Sequence, residues 1–98
     1  MQKPYFIYDS KSETYTAPTI NPARGQAMRS FGDAVNSGQG VLSDHPEDFT
    51  LFEIGTFDIQ TGTIELFDSK VSVANGLDVK DSGDNFPKDP RENITAVN

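Results

Sequence analysis

The sequence predicts an α+β domain in which one amphipathic helix packs on a small, mostly antiparallel sheet, in the order β-hairpin, helix, β-hairpin, followed by a flexible C-terminal tail. Three observations carry this: the aromatic run Tyr5-Phe6-Ile7-Tyr8, the helical spacing of apolar residues from Ala23 to Val35, and the alternating block from Thr50 to Phe67. The domain is assigned to residues 1–77 and the tail to residues 78–98.

Tyr5 to Tyr8 are aromatic or β-branched and suit a pleated, half-buried surface. Asp9-Ser10-Lys11-Ser12 is a polar turn, and Thr14 to Ala17 returns as a second strand until Pro18, which has no amide to give to a ladder. Asn21-Pro22 is the expected helix start, because Asn accepts from exposed amides and Pro is tolerated in the first turn. At about 100° per residue, Ala23, Ala27, Met28, Phe31, Ala34 and Val35 fall in one sector, with Gln26, Arg29, Asp33 and Asn36 opposite. The helix is expected to end near Ser37, with Gly38 as its cap. Gly25 and Gly32 weaken it, so it depends on packing against the sheet.

His45-Pro46-Glu47-Asp48 is expected to form a turn leading into a strand from Thr50 to Phe57. Asp58 to Gly62 then connects to a second strand from Thr63 to Phe67, with Gly62 supplying a positive φ. Phe52 and Ile54 share one face and are expected in the core, while Leu51 and Phe57 point the other way. A strand apolar on both faces is expected to be central or covered on both sides. Val71 to Leu77 adds a short strand or covers an edge, and from Asp78 onward the chain is rich in Asp, Asn, Pro and Gly.

Composition narrows the function. Ninety-eight residues allow one domain. The absence of cysteine excludes disulfides, thiol nucleophiles and cysteine-ligated metals. Fifteen acidic against eight basic residues give a net charge of −7, with no two basic residues adjacent, so no basic stripe for phosphate binding is legible. Neither a secretory leader nor a membrane span is expected, which favours a soluble intracellular protein.

Site chemistry is sparse. His45 with Glu47 and Asp48 is the one candidate acid–base or metal cluster, but there is no second histidine, no HEXXH and no GXSXG. Asp78, Asp81 and Asp84 do not match the calcium-loop spacing, and Asn93-Ile94-Thr95 fits a glycosylation pattern that matters only in a secreted protein. Arg24, in the first helical turn, either assists an anion there or snorkels from the apolar sector. Tyr5, Phe6, Tyr8 and Tyr15 would serve as a stacking platform for single-stranded nucleic acid if a basic groove accompanied them.

"HPEDFTLFEIGTFDIQTGTI", with the opening "YFIYDSKSETYTAP" and the helix "NPARGQAMRSFGDAVN", resembles the small nonstructural protein of gokushovirus-like microviruses, which are single-stranded DNA phages. The resemblance covers residues 4 to about 67 and continues weakly through "VANGLDVK". It implies an accessory protein of the infected cell, located in the host cytoplasm, that supports viral single-stranded DNA synthesis or packaging and is described as DNA-binding. It implies no catalytic motif, and no enzyme activity, cofactor or metal is expected. The candidate DNA contacts are Lys3, Lys11, Arg24 and Arg29 with Tyr5, Tyr8 and Tyr15, provided that they converge. The alternative is a protein-interaction module that binds phage or host replication or packaging proteins through its acidic surface or a strand edge, an edge that would also permit a homodimer.

Overall fold

A computed structural model describes residues 1–80. The elements run β1 (Lys3–Asp9), β2 (Thr14–Tyr15), β3 (Thr19–Asn21), α1 (Arg24–Val35), α2 (Gly40–Asp44), a 3-10 turn (Pro46–Asp48), β4 (Phe49–Asp58), β5 (Thr63–Asn75) and α3 (Gly76–Val79). The expected α+β class holds: one antiparallel sheet in the order β2-β1-β4-β5, with β3 also paired to β1 and helices packed on one face.

The first hairpin forms where the aromatic run and the polar turn place it, with Tyr8 opposite Tyr15. The chain then adds a strand that composition does not signal. Thr19 to Asn21 pairs with Tyr5 to Lys3, so Asn21 is the end of β3 and not the helix cap. Pro22 favours extended backbone in the residue before it, which suits Asn21 to the strand. The cap position passes to Ala23, which offers no side-chain bond, and the helix starts at Arg24.

Ala27, Phe31 and Val35 of α1 are buried as the helical spacing requires, whereas Ala23 and Ala34 are exposed. They join Tyr5, Phe49, Leu51, Ala74 and Val79 in the core. This corrects the face of β4 that is buried. Its burial alternates regularly, but Phe49, Leu51 and Glu53 lie on the helix side and Gly55 is buried against the backbone of β5, while Phe52 and Ile54 are only partly buried. Both faces of β4 are apolar, so alternation alone could not choose between them. The strand is central, between β1 and β5.

The connection from β4 to β5 matches expectation. Gly62 has φ 75° and donates to the Asp58 carbonyl at 2.8 Å, and the Asp58 carboxylate accepts from the Gln60 amide at 2.9 Å. β5 is longer than the sequence suggests, extending through Val71 to Asn75. Its register against β4 shifts between Leu51 and Phe52 and again between Glu53 and Gly55, where the partners jump from Val71 to Leu66. Extra residues of this kind kink an edge strand, and they hide its length from a period-two reading.

Asp78 and Val79 belong to the packed domain, although they read as the start of the tail. Asn75 and Asp78 form a reciprocal capping box around the single turn α3, and Val79 is fully buried. The Asn36 side-chain amide donates to the carbonyls of Gly32 and Val79, tying the end of α1 to α3. The remainder of the expected tail, including Asp81, Asp84 and the Asn93 pattern, lies outside the described residues. Among the described residues no helix is long and apolar enough to cross a membrane.

Candidate functional site

The sheet has two unlike faces, and the residues expected to contact DNA are divided between them. On the helix side, Tyr5 stands opposite Glu53 in the β1–β4 register. Glu53 is 2% exposed and is the only buried charged side chain among the described residues. Its Oε1 accepts from the Tyr5 hydroxyl at 3.3 Å and from Arg24 Nε at 2.9 Å, with Arg24 Nη2 also at 2.9 Å, while Oε2 lies 3.4 Å from Lys3 Nζ.

Burial is the largest influence on the Glu53 carboxyl and pushes its pKa up. The hydrogen bond and charge of Arg24, joined by Lys3, together outweigh it, and the group ends below the ordinary carboxylate value. Burial also pushes the Tyr5 phenol up, reinforced by the charge of Glu53, so the phenol is held as a donor. Arg24 is raised by its hydrogen bond to Glu53 and by that carboxylate's charge. Lys3, Tyr5 and Arg24 therefore converge on one internal carboxylate. The Tyr5 ring is enclosed and offers no stacking surface.

The opposite face carries the aromatic cluster. Phe6 and Tyr15 have ring centroids 4.6 Å apart, Tyr8 and Tyr15 also 4.6 Å, and Phe6 meets Phe52 edge-on at 6.3 Å. Lys70 Nζ lies 5.5 Å from the ring centroids of both Tyr15 and Phe52, within the range of a cation–π contact. Tyr8 and Tyr15 were legible as candidates. Phe52 has the pattern of a core residue, and Lys70, more than 50 residues from Tyr15 in the chain, has no local signal that would mark it.

Lys11 sits in the β1–β2 turn, where its amide donates to the Asp9 carboxylate at 2.9 Å. That backbone bond is the main reason why the Asp9 carboxyl lies below its usual range. Arg29 is exposed on α1, away from the buried stripe. Of the four basic candidates, the structure brings Lys3 and Arg24 together on Glu53.

His45, Glu47 and Asp48 have potential ligand atoms within 4.8 Å of one another, and His45 Nδ1 lies 3.9 Å from Glu47 Oε2. The expected turn is a 3-10 turn that contains Glu47 and Asp48 and is preceded by His45, with His45 and Glu47 exposed. Such an arrangement follows from the turn itself, which brings consecutive polar side chains together.

The architecture is that of a small α+β domain with one face sealed by helices over an internal ion cluster and the other left open and aromatic. The chain belongs to the family described as Phage ORF5 protein, whose model matches residues 2–79, and it is a bacteriophage protein. No curated protein and no solved structure matches the chain.

Proposed function

We propose that this phage accessory protein contacts viral single-stranded DNA on the open face of its sheet and supports synthesis or packaging of that DNA in the infected cell's cytoplasm. The carrying observation is the cluster of Phe6, Tyr8, Tyr15 and Phe52 with Lys70 above it. Bases stack on aromatic rings irrespective of sequence, each such contact being worth about 1–3 kcal/mol, and a nearby cation meets the backbone. The resemblance to nonstructural proteins of gokushovirus-like microviruses supports the same reading. The protein acts by binding, without catalysis, cofactor or metal.

The test is retention on immobilised single-stranded DNA over a salt series. Tyr15→Ala and Lys70→Ala should weaken retention severalfold, while Arg29→Ala should change it little. Absence of retention at low salt, or equal loss from all three variants, would overturn the reading.

A second reading is favoured by charge. Lys3 and Arg24 are engaged by Glu53, and the chain carries a net charge of −7. In this reading the open face binds a phage or host replication protein. Capture of such a protein with DNA removed by nuclease, with the same dependence on Tyr15, would select it.

A further inference from the structure

Asn75 ends β5 and Gly76 begins α3, so an Asn-Gly pair forms the junction between them. In such a pair the backbone nitrogen that follows the asparagine is crowded by no side chain and can attack the side-chain amide carbon. Packing requires both residues. A Cβ on Gly76 would collide with the Pro46 backbone, so the position takes glycine. Asn75 is the N-cap of α3: its Oδ1 accepts from the Leu77 amide at 3.0 Å, and its Nδ2 donates to the Glu47 carbonyl at 3.1 Å and to Thr50 Oγ1 at 3.3 Å.

We propose that Asn75-Gly76 is a deamidation site whose reaction is gated by the opening of α3. The Gly76 nitrogen gives up its proton to base and bonds to Asn75 Cγ. The Cγ–Nδ2 bond breaks, and ammonia leaves with a proton from water, so that a five-membered succinimide remains. Water then opens the ring at either of its carbonyls and leaves an aspartate or an isoaspartate at position 75. The sum is the exchange of one amide and one water for one carboxylic acid and one ammonia.

The gate follows from the backbone. Ring closure needs the Gly76 nitrogen close to the plane of Asn75 Cβ, Cα and carbonyl carbon, and at the Asn75 ψ of 158° it stands far out of that plane. Turning ψ moves α3 as a body. The Leu77 bond breaks, the fully buried Val79 leaves the core, and the Val79 carbonyl parts from Asn36 Nδ2, 2.9 Å away. Only chains in which α3 has opened therefore react. The other asparagines among the described residues are poorer sites: Asn21 precedes Pro22, which has no amide proton, and Asn36 precedes Ser37, whose side chain crowds the nitrogen.

The change is one-way. It leaves the Glu47 carbonyl without its donor and sets a new carboxylate in the same turn as that of Asp78, whose Oδ2 accepts from the Asn75 backbone at 2.8 Å. The isoaspartate form also adds a carbon to the main chain at the cap. Both products weaken the return of α3 to the core, so an opening that is otherwise reversible becomes a permanent mark.

The test is peptide mapping by mass after incubation at mildly alkaline pH, with and without guanidinium chloride. In the denaturant Asn75 should convert ahead of Asn36, and about tenfold or more faster than in the folded chain, because a closed segment reacts only through its open fraction. Val79→Ala loosens α3 without altering the reacting pair, and Asp78→Ala removes the bond to the Asn75 backbone. Each should speed conversion severalfold without denaturant while circular dichroism shows the sheet intact. Equal rates at Asn75 with and without denaturant, conversion in both variants no faster than in the unaltered chain, or Asn36 leading in denaturant would overturn the proposal. No DNA enters these measurements, so their outcome is separate from that of the DNA reading.

Discussion

Tyr5 and Glu53 face each other across β1 and β4, and the phenol donates to a carboxylate almost wholly removed from solvent. Arg24 completes the arrangement from the first turn of α1, so three separate elements meet on one charge. Removing one partner of a buried pair strands the other, typically at about 3–5 kcal/mol. Arg24 is half exposed and Lys3 and Tyr5 remain, so Arg24→Ala should cost less, about 2 kcal/mol. Glu53→Gln should cost less in the Arg24→Ala background than alone. Urea denaturation of the two single variants and the double variant measures this coupling; additive losses would argue against it.

Stability should fall in acid because of the same group. Glu53 titrates below its ordinary value in the folded chain, so the unfolded chain binds a proton first as pH drops. The contribution is complete above the ordinary value of 4.5 and is lost as pH falls through the lower folded value. The acid slope of stability should flatten in Glu53→Gln. At the alkaline end, the raised Tyr5 pKa implies a loss above the phenol's ordinary 10.0, absent in Tyr5→Phe.

Glycines make a sharper contrast. A Cβ on Gly76 would collide with the Pro46 backbone, and one on Gly55 with the backbone of Glu65, while Gly25 has nothing within 4 Å. Gly76→Ala and Gly55→Ala should each destabilise by about 2 kcal/mol or more, since backbone cannot yield as a side chain can. Gly25→Ala should raise stability by up to about 1 kcal/mol through helix propensity. Thermal melting of the three variants tests both signs.

Gly62→Val should lower stability by about 1–3 kcal/mol, because a β-branched residue is strained at φ 75°. His45→Ala should shift it by no more than about 0.5 kcal/mol, as expected of an exposed turn residue. It should leave DNA retention unchanged. A folded His45→Ala protein without retention would mean that the His45, Glu47 and Asp48 cluster has a function of its own.

The elements that could be read from sequence are those whose signal is local. Tyr5 to Tyr8 announces β1, the 3.6-residue period from Ala27 to Val35 announces α1, and Asp58 with Gly62 fixes the hairpin. β3 is three residues without a period, and β5 is interrupted by register shifts, so both escape a windowed reading. The choice of buried face on β4 escaped because Phe52 and Ile54 are as apolar as Phe49 and Leu51. The ion cluster joins residues 29 and 48 positions apart, and no spacing rule connects them. Arg24 read from sequence as an anion binder or a snorkelling side chain because its partner was hidden in a strand.

The internal carboxylate also guards strand alignment. Because β4 is apolar on both faces, sliding it by one residue would leave hydrocarbon beneath the helices either way. Such a slip would carry Glu53 out among the open-face rings and leave Lys3, Tyr5 and Arg24 pointing at Phe52 or Ile54. Hydrophobicity alone barely distinguishes the two alignments of this strand, whereas one acidic side chain with three partners makes them unequal. The charge in the core thereby determines which aromatic residues reach the surface.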